Sequence, residues 1–245
     1  MSFIVYFVRH CQPDDENHRH YPIPNPPLTE TGMLQTSHVG RQIAAWGIDE
    51  LYSSPMIRAV QTAAAIHAET AAPWHVWPSV SETDRRAWTK LRSGEPGKTL
   101  QADAEYAAVS SHEGLTLHYP HIRWNPAEIG RPDWRIPLLN ETREMTYERA
   151  ASFLSYLEQT YGGSQKTVAV VCHNAFLSVL LTVISGGTPA DHNRFLHAHG
   201  AIARVDWYRE NSGDKTWATS VQFTGYTSHF PTELVTGLQG LQALK

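Results

Sequence analysis

Short apolar runs that alternate with helical patterns constrain the fold of this chain more than any other feature. Thr167 to Cys172 is the clearest buried strand, and an apolar helix predicted from Asn174 to Ile184 follows it directly. Near the start of the chain, Phe3 to Val8 is continuously apolar and rich in β-branched and aromatic residues, which is typical of a buried strand. Strands that alternate with helices favour a mostly parallel sheet covered on both faces, so we predict a three-layer α/β/α sandwich.

Capping and turn residues define further elements between these two strands. Thr29 is placed to cap a helix that ends at Gly47. Leu51 to Ser53 predicts a second short strand, and Pro55 stands at the start of the helix that follows. Trp74 to Val80 predicts another strand.

The stretch from Arg85 to Glu144 lacks a clear period and is interrupted by glycine and proline. We interpret it as a lid with short helical pieces, inserted in a single domain that spans residues 1–245. Helical spacing returns at Thr146. Later strands are predicted at Ala201 to Trp207 and at Trp217 to Thr224, toward an edge of the sheet.

The charge balance argues against nucleic acid as a partner. The chain has 20 Lys+Arg and 24 Asp+Glu among its 245 residues, which gives a net charge of −4. Proteins that bind the phosphate backbone usually carry an excess of positive charge. We therefore expect no nucleic-acid partner.

The two cysteines and the first residues of the chain bear on its location. Cys11 and Cys172 are the only cysteines, so the disulfide framework of a secreted protein cannot form. The first apolar run lacks a basic lead-in and ends at Arg9-His10, which is too early for a signal peptide or a spanning helix. We expect a cytoplasmic protein with no membrane partner.

Charged and imidazole side chains follow several of the predicted strands at the point where each strand ends. Arg9 and His10 close the first strand, and His173 closes the clearest later one. Arg58 stands in the first turn of a helix directly after a strand, and Glu82 also follows a strand. Ligands of parallel sheets bind at the carboxyl ends of the strands. We therefore expect these five side chains to meet at one edge of the sheet.

Two imidazoles, two guanidiniums and one carboxylate suit phosphoryl transfer through a phosphohistidine. A neutral imidazole can attack phosphorus as a nucleophile. Guanidiniums match phosphate oxygens in fork geometry and stabilise charge on the equatorial oxygens without a metal ion. A protonated glutamic acid can supply the proton that the leaving alkoxide needs. The set predicts an enzyme that acts on a phosphate ester.

Six fragments of the sequence resemble, in this order, the histidine phosphatase (phosphoglycerate mutase-like) superfamily: Arg9-His10, Pro27 to Gly32, Ser53-Ser54-Pro55, Arg58 to Ala63, Val170 to Asn174 and Thr227 to Phe230. The last fragment is similar to a tail motif of some phosphatase members. The resemblance covers most of the chain and leaves the predicted lid unmatched. It implies an enzyme that needs no cofactor and takes a small phosphorylated substrate.

The resemblance also implies roles for individual residues. His10 is expected to be the nucleophile that becomes phosphorylated. Arg9, Arg58 and His173 are expected to hold the phosphoryl group, and His173 also counts among the catalytic residues. Glu82 is expected to be the proton donor.

One further pair is similar to a feature of the family. Glu141-Thr142, eight residues before Arg149, resembles a Glu-Ser pair that opens a long helix in members of the superfamily. This resemblance makes Glu141 a candidate for a structural role near the site.

The sequence departs from the family pattern at two places. The family usually has glycine after the nucleophilic histidine, and here Cys11 stands there, where a side chain can narrow the pocket or alter the turn. The residues after Glu82, Thr83 to Trp88, match neither the mutase nor the phosphatase pattern. The identity of the substrate is therefore open.

We predict a metal-independent phosphomonoesterase that acts on a small phosphorylated metabolite. A mutase stays an alternative, although the lid cations Lys90, Arg92 and Lys98 form no recognisable mutase pattern. A pseudoenzyme that binds phosphate without turnover is the other alternative, if Cys11 spoils the setting of the nucleophile. Assembly as a homodimer is also open.

The remaining histidines and cysteines raise the question of a metal site. A set made of His10, Cys11, Cys172 and His173 lacks the spacing of two to four residues that metal ligands usually show, so we expect no metal. The alternating histidines elsewhere are interpreted as loop residues: His18, His20, His197 and His199.

Overall fold

Seven strands form one mixed sheet in a computed structural model that describes residues 2–14, 25–83, 112–124, 141–191, 194–209 and 217–238. The strands are β1 (Ser2–Arg9), β2 (Glu50–Ser53), β3 (Trp74–Val76), β4 (Ile122–Trp124), β5 (Thr167–Cys172), β6 (Ile202–Tyr208) and β7 (Ala218–Tyr226). The α-helices are α1 (Glu30–Trp46), α2 (Ile57–Thr70), α3 (His112–His118), α4 (Arg143–Tyr161) and α5 (Asn174–Ile184).

The sheet has a parallel part and an antiparallel part. The strand order is β4-β3-β2-β5-β1-β6-β7, and the strands from β4 to β1 all pair in parallel. Strand β6 runs antiparallel to β1, with Ile202 opposite Val8, and β7 runs antiparallel to β6, with Tyr226 opposite Ile202. The start of β6 and the end of β7 therefore lie at the same edge as the carboxyl ends of the parallel strands.

The alternation of side chains along β5 divides the core between the two faces of the sheet. Val168, Val170 and Cys172 belong to a buried cluster that contains residues of α4 and α5. Ala169 and Val171 belong to a second cluster that contains residues of α1 and α2. Because β5 contributes side chains to both clusters, neither of its faces is exposed to solvent. This explains why its sequence is continuously apolar. The predicted α/β/α sandwich with a mostly parallel sheet is confirmed.

Two predicted boundaries were wrong. The strand predicted from Trp74 to Val80 ends at Val76, and a 3₁₀ turn over Pro78–Val80 follows it. Pro78 has no N–H to donate to a neighbouring strand, so it ends the ladder. The helix predicted from Thr146 begins at Arg143, because the Thr142 hydroxyl accepts the Met145 N–H and caps it.

The predicted lid is described only in part. Residues 112–124 contain α3 and β4, and β4 pairs in parallel with β3 as the edge strand of the sheet. This part of the segment thus belongs to the central sheet. Most of the remainder, including Lys90, Arg92 and Lys98, lies outside the described residues, where the lid stays a prediction.

Within the described ranges, no helix combines the length and the apolar character that crossing a bilayer requires.

Candidate active site

The backbone at the end of β1 is held from both sides. The His10 N–H donates to the Cys172 carbonyl on β5 at 2.9 Å. On the other side, the Gly200 N–H donates to the carbonyls of Arg9 and His10, both at 3.1 Å. Gly200 has a φ of +67°, a conformation that favours glycine, so this turn can approach the strand end closely. The position of His10 is therefore fixed by β5 and by the turn before β6.

The His10 ring is held in one tautomer. Its Nδ1 lies 2.7 Å from the Cys11 carbonyl, which can only accept, so Nδ1 carries the hydrogen and Nε2 keeps its lone pair. The Arg58 Nε–H donates to this Nε2 at 3.2 Å. Burial, and then the charges of Arg58 and its neighbours, hold the pKa of His10 well below its usual value. The ring is thus a neutral imidazole with its nucleophilic nitrogen next to a guanidinium.

Arg58 reaches the site from the first turn of α2, as predicted. Only 8% of its surface is exposed. Thr62, one helical turn further on, donates its hydroxyl to the Arg58 carbonyl at 2.8 Å and accepts the Cys11 N–H at 3.1 Å. This threonine connects α2 to the backbone that follows His10, so the two groups keep a fixed separation.

His173 completes the predicted imidazole pair at the end of β5. Its ring lies 5.0 Å from the His10 ring, centroid to centroid, and is fully buried. Neither ring nitrogen has a hydrogen-bond partner among the described residues. Burial and the positive charges of Arg58, Arg149 and Arg9 hold its pKa well below the usual value. A buried imidazole without these hydrogen bonds, next to positive charges, favours an anionic ligand. An anion can accept a hydrogen bond from the ring and offset those charges.

Arg9 is oriented by the loop that precedes β6. Its Nη1 donates to the His197 carbonyl. The His197 N–H donates in turn to the side-chain oxygen of Asn174 at 3.0 Å. Asn174 directly follows His173. The segment that carries His173 therefore also positions the Arg9 guanidinium.

Glu82 lies at the N-terminus of α5. One carboxyl oxygen accepts the N–H groups of Thr83 at 3.0 Å and Phe176 at 3.1 Å, and the other accepts the Ala175 N–H at 3.4 Å. His173 is the cap residue of this same helix. The structure therefore brings Glu82 and His173 to one helix end, next to His10.

The turn that carries Glu82 is held by Arg149 on α4, a residue that we did not include in the site. Its Nη1 donates to the carbonyls of Ser79 at 2.7 Å and Ser81 at 2.9 Å. Its Nε and Nη2 donate to the two carboxyl oxygens of Glu141 at 2.7 and 2.8 Å. The Glu141 side chain is only 3% exposed. Its structural role thus consists in orienting Arg149, which in turn holds the Glu82 turn.

His199 also lies at the site, and we had interpreted it as a loop residue. Its ring lies 5.9 Å from that of His10, and its Nδ1 lies 3.0 Å from the Thr236 hydroxyl. Burial, then the charges of Arg9 and Arg58, lowers the pKa of His199 to about 3. The sequence signal that could have located His199 at the site is its position just before a predicted strand. Because β6 is antiparallel, residues before it lie at the edge where the parallel strands end.

Cys11 does not project into this site. Its side chain is fully buried in the apolar cluster that contains α1 and α2, and burial raises the pKa of its thiol to about 12. Cys172 belongs to the cluster on the opposite face of the sheet. The two thiols of the alternative metal set therefore lie on different faces. In the described part of the chain, no group of three His, Cys, Asp or Glu side chains could hold a metal ion.

The sequence and the fold were compared with known proteins. The profile of the histidine phosphatase superfamily (branch 1) matches residues 5–219. The search of curated proteins found no match.

Many solved structures share the fold. A protein described as mycobacterial hydrolase 2 has a TM-score of 0.65 and 17% identity, with 99% of this chain and 97% of that chain covered. Phosphoserine phosphatase from Entamoeba histolytica has a TM-score of 0.59 and 16% identity, with 94% and 100% covered. Mycobacterial glucosyl-3-phosphoglycerate phosphatase has a TM-score of 0.61 and 14% identity, with 93% and 100% covered. The profile match spans most of the sequence, so the chain belongs to the histidine phosphatase superfamily.

Proposed function

We propose that this protein is a phosphomonoesterase that works through a phosphohistidine on His10, without a metal ion, on a small phosphorylated metabolite. The observation that carries the proposal is the state of the His10 ring. Its Nδ1 is committed to the Cys11 carbonyl, and its Nε2 lone pair faces the Arg58 guanidinium. A phosphoryl group bound by that guanidinium would have phosphorus within reach of the lone pair.

Two guanidiniums supply the positive charge that a metal ion supplies in other phosphatases. Arg58 donates to His10 Nε2, and the charges of Arg9 and Arg58 both lower the pKa of His10 and of His173. A phosphate dianion bound there would be paired with two fixed cations in a largely buried site. The one N–H of the neutral His173 ring would donate a further hydrogen bond to a phosphate oxygen.

The first chemical step transfers the phosphoryl group to the enzyme. The Arg58 Nε–H moves from His10 Nε2 to a phosphoryl oxygen, and the freed Nε2 lone pair forms a bond to phosphorus while the bond from phosphorus to the leaving oxygen breaks. Glu82, in its acid form, gives a proton to that oxygen, and the alcohol departs. This role requires the carboxyl group to turn from the backbone donors of α5 toward the leaving oxygen.

The second step returns the enzyme to its starting state. Water attacks phosphorus, Glu82 takes the proton of the water, and the bond between phosphorus and Nε2 breaks. Orthophosphate leaves, and His10 regains its lone pair with the hydrogen still on Nδ1. Each proton and each bond is thus accounted for without a co-reactant.

Two observations favour this reading over the alternatives. The Cys11 thiol lies in the apolar core, which removes the reason to expect an impaired nucleophile. Two of the structural neighbours described above carry the name of phosphatases, which supports hydrolysis over mutase chemistry. Both are too distant in sequence to identify the substrate.

The test is hydrolysis of an aryl phosphate by the wild type, His10→Ala and the matched control His121→Asn, each with and without EDTA. His121 is an exposed histidine outside the site. We expect activity in the wild type and in the control, no effect of EDTA, and loss of activity in His10→Ala. Activity lost with EDTA would overturn the metal-free mechanism. Phosphate binding without any turnover of aryl or metabolite phosphates would instead favour the pseudoenzyme.

A further inference from the structure

A chain of hydrogen bonds connects the residue after Cys11 to the His199 ring. The Gln12 N–H donates to the side-chain oxygen of Gln35 at 2.8 Å. The Gln35 Nε2 donates to the Leu234 carbonyl at 2.7 Å and to the Thr236 hydroxyl at 2.9 Å. The same hydroxyl lies 3.0 Å from His199 Nδ1. This series of hydrogen bonds therefore runs from the loop after β1, through Gln35 on α1, to the segment after β7.

The chemistry of the donors fixes the direction of every hydrogen bond up to the Thr236 hydroxyl, which can either donate to His199 Nδ1 or accept from it. A backbone N–H can only donate and a carbonyl can only accept, so the orientation of the Gln35 amide is determined. Its two Nε2 hydrogens are both used, one of them on the Thr236 oxygen. Thr236 then has one hydroxyl hydrogen left, and its partner among the described residues is His199 Nδ1. With that hydrogen donated to Nδ1, the neutral His199 ring carries its own hydrogen on Nε2.

The segment after β7 also lies against His199 and Arg9. The His199 N–H donates to the Thr236 carbonyl at 3.0 Å. A Cβ placed on Gly237 would lie 2.7 Å from His199 Nδ1 and 3.0 Å from Arg9 Nη1. The Gly237 backbone therefore lies close to both side chains, with no room there for a larger residue.

From this geometry we infer that His199 is a further phosphoryl-binding residue, which donates its Nε2–H to an oxygen of the group transferred to His10. The inference rests on the proposed function for the identity of that group. Thr236 and Gln35 are positioning residues, since they act only by keeping the acceptor nitrogen of His199 turned away from the substrate. The ring forms no other side-chain hydrogen bond within the described residues, so Nε2 is left for a ligand.

Thr236 offers a matched pair of variants. Thr236→Val keeps the shape but removes the hydroxyl hydrogen, so His199 can place its own hydrogen on Nδ1 and turn a lone pair toward the phosphoryl oxygens. Thr236→Ser keeps the hydroxyl and should behave as the wild type. His199→Leu removes the donor altogether.

The experiment combines a tautomer measurement with phosphate binding. Long-range proton–nitrogen NMR of labelled protein reports which nitrogen of His199 carries the hydrogen, and calorimetry measures the affinity for inorganic phosphate. We expect the Nε2–H form in the wild type and Thr236→Ser, and a shift toward Nδ1–H in Thr236→Val. In Thr236→Val and in His199→Leu, the affinity for phosphate should fall about tenfold and the KM for aryl phosphate should rise about tenfold. Circular dichroism checks that each variant is folded.

Two results would overturn the inference: the Nδ1–H form in the wild type, or a phosphate affinity in folded His199→Leu equal to that of the wild type. Failure of the proposed function has a different signature. If the wild type never hydrolyses a phosphate ester, but phosphate affinity still depends on His199 and Thr236, the binding role stands and only the hydrolytic mechanism falls.

Discussion

The parallel and antiparallel halves of the site are built in different ways. His10, Arg58 and His173 come from junctions between parallel strands and helices, and each is at most 8% exposed. His199 and Thr236 come from a turn before β6 and from the segment after β7, a strand whose residues are all partly or fully exposed. Core packing holds the first group, whereas hydrogen bonds and one close backbone contact hold the second. We expect substitutions in the parallel half to stop the chemistry and those in the antiparallel half to weaken binding.

The largest effect should come from Arg58. Arg58→Gln removes the guanidinium next to His10 Nε2 and with it a fixed charge for the transition state. We expect kcat/KM for an aryl phosphate to fall by about a thousandfold. Arg41→Gln, on an exposed position of α1, serves as the control and should keep wild-type kinetics. A fall of less than tenfold would remove Arg58 from the mechanism.

A large loss of stability should follow Arg149→Met, which breaks the support of the Glu82 turn. The substitution removes the Arg149 guanidinium from the buried Glu141 carboxylate and breaks this ion pair, so the free energy of unfolding should fall by about 3 kcal/mol. Arg194→Met breaks the more exposed pair with Asp191, which solvent screens, and should lower the free energy of unfolding far less. Urea denaturation measures both. Equal losses in the two variants would contradict the structural role given to Arg149.

A smaller effect is expected at Gly237, which tests the antiparallel half. Gly237→Ala strains a residue with a φ of +85° and places a Cβ against His199 and Arg9. Gly225→Ala meets a similar strain at a φ of +69°, but no atom lies within 4 Å of its Cβ. We expect the KM of Gly237→Ala to rise about fivefold with little change in kcat. This corresponds to a loss on the order of 1 kcal/mol in the free energy of substrate binding. A KM that rises equally in Gly225→Ala would show that backbone strain alone is responsible.

The smallest effect is the contribution of His197 to the pH dependence of stability. Burial and Arg9 lower the pKa of His197 to about 4, whereas in the unfolded chain it is near ~6.5. Below that value the unfolded state binds a proton that the folded state does not, so stability falls as the pH falls from about 6.5 toward 4. Between pH 7.5 and 6.0 the loss should be about 0.8 kcal/mol for this residue. His197→Asn should reduce the difference by that amount, and an unchanged difference would contradict the assignment.

The residues in the parallel half of the site are predictable from the sequence, because the patterns that indicate them are local. An apolar run followed by a charged or imidazole residue identifies a strand end, and parallel strands bring their carboxyl ends together. His10 and His173 were found in this way, and the structure places their rings 5.0 Å apart. The Thr29 cap of α1 was equally local, since its hydroxyl accepts the Gly32 N–H three residues later at 2.9 Å.

The rest depended on contacts between distant parts of the chain. His199 precedes its strand, and only the antiparallel direction of β6 brings it to the site. Arg149 lies 68 to 70 residues away in sequence from the carbonyl groups that it holds in the Glu82 turn, with no local pattern to indicate this contact. The direction of the Cys11 side chain, which decides whether the nucleophile is obstructed, also depends on the packed core.

The most direct test of the central claim is to trap the phosphorylated enzyme. A radiolabelled aryl phosphate is mixed with the wild type, with His10→Ala and with Glu82→Gln, and the protein is quenched in alkali, where phosphohistidine survives. We predict one acid-labile phosphoryl group on His10 in the wild type, none in His10→Ala, and a longer-lived one in Glu82→Gln because hydrolysis loses its base. Label on any other residue, or turnover by His10→Ala, would contradict the account.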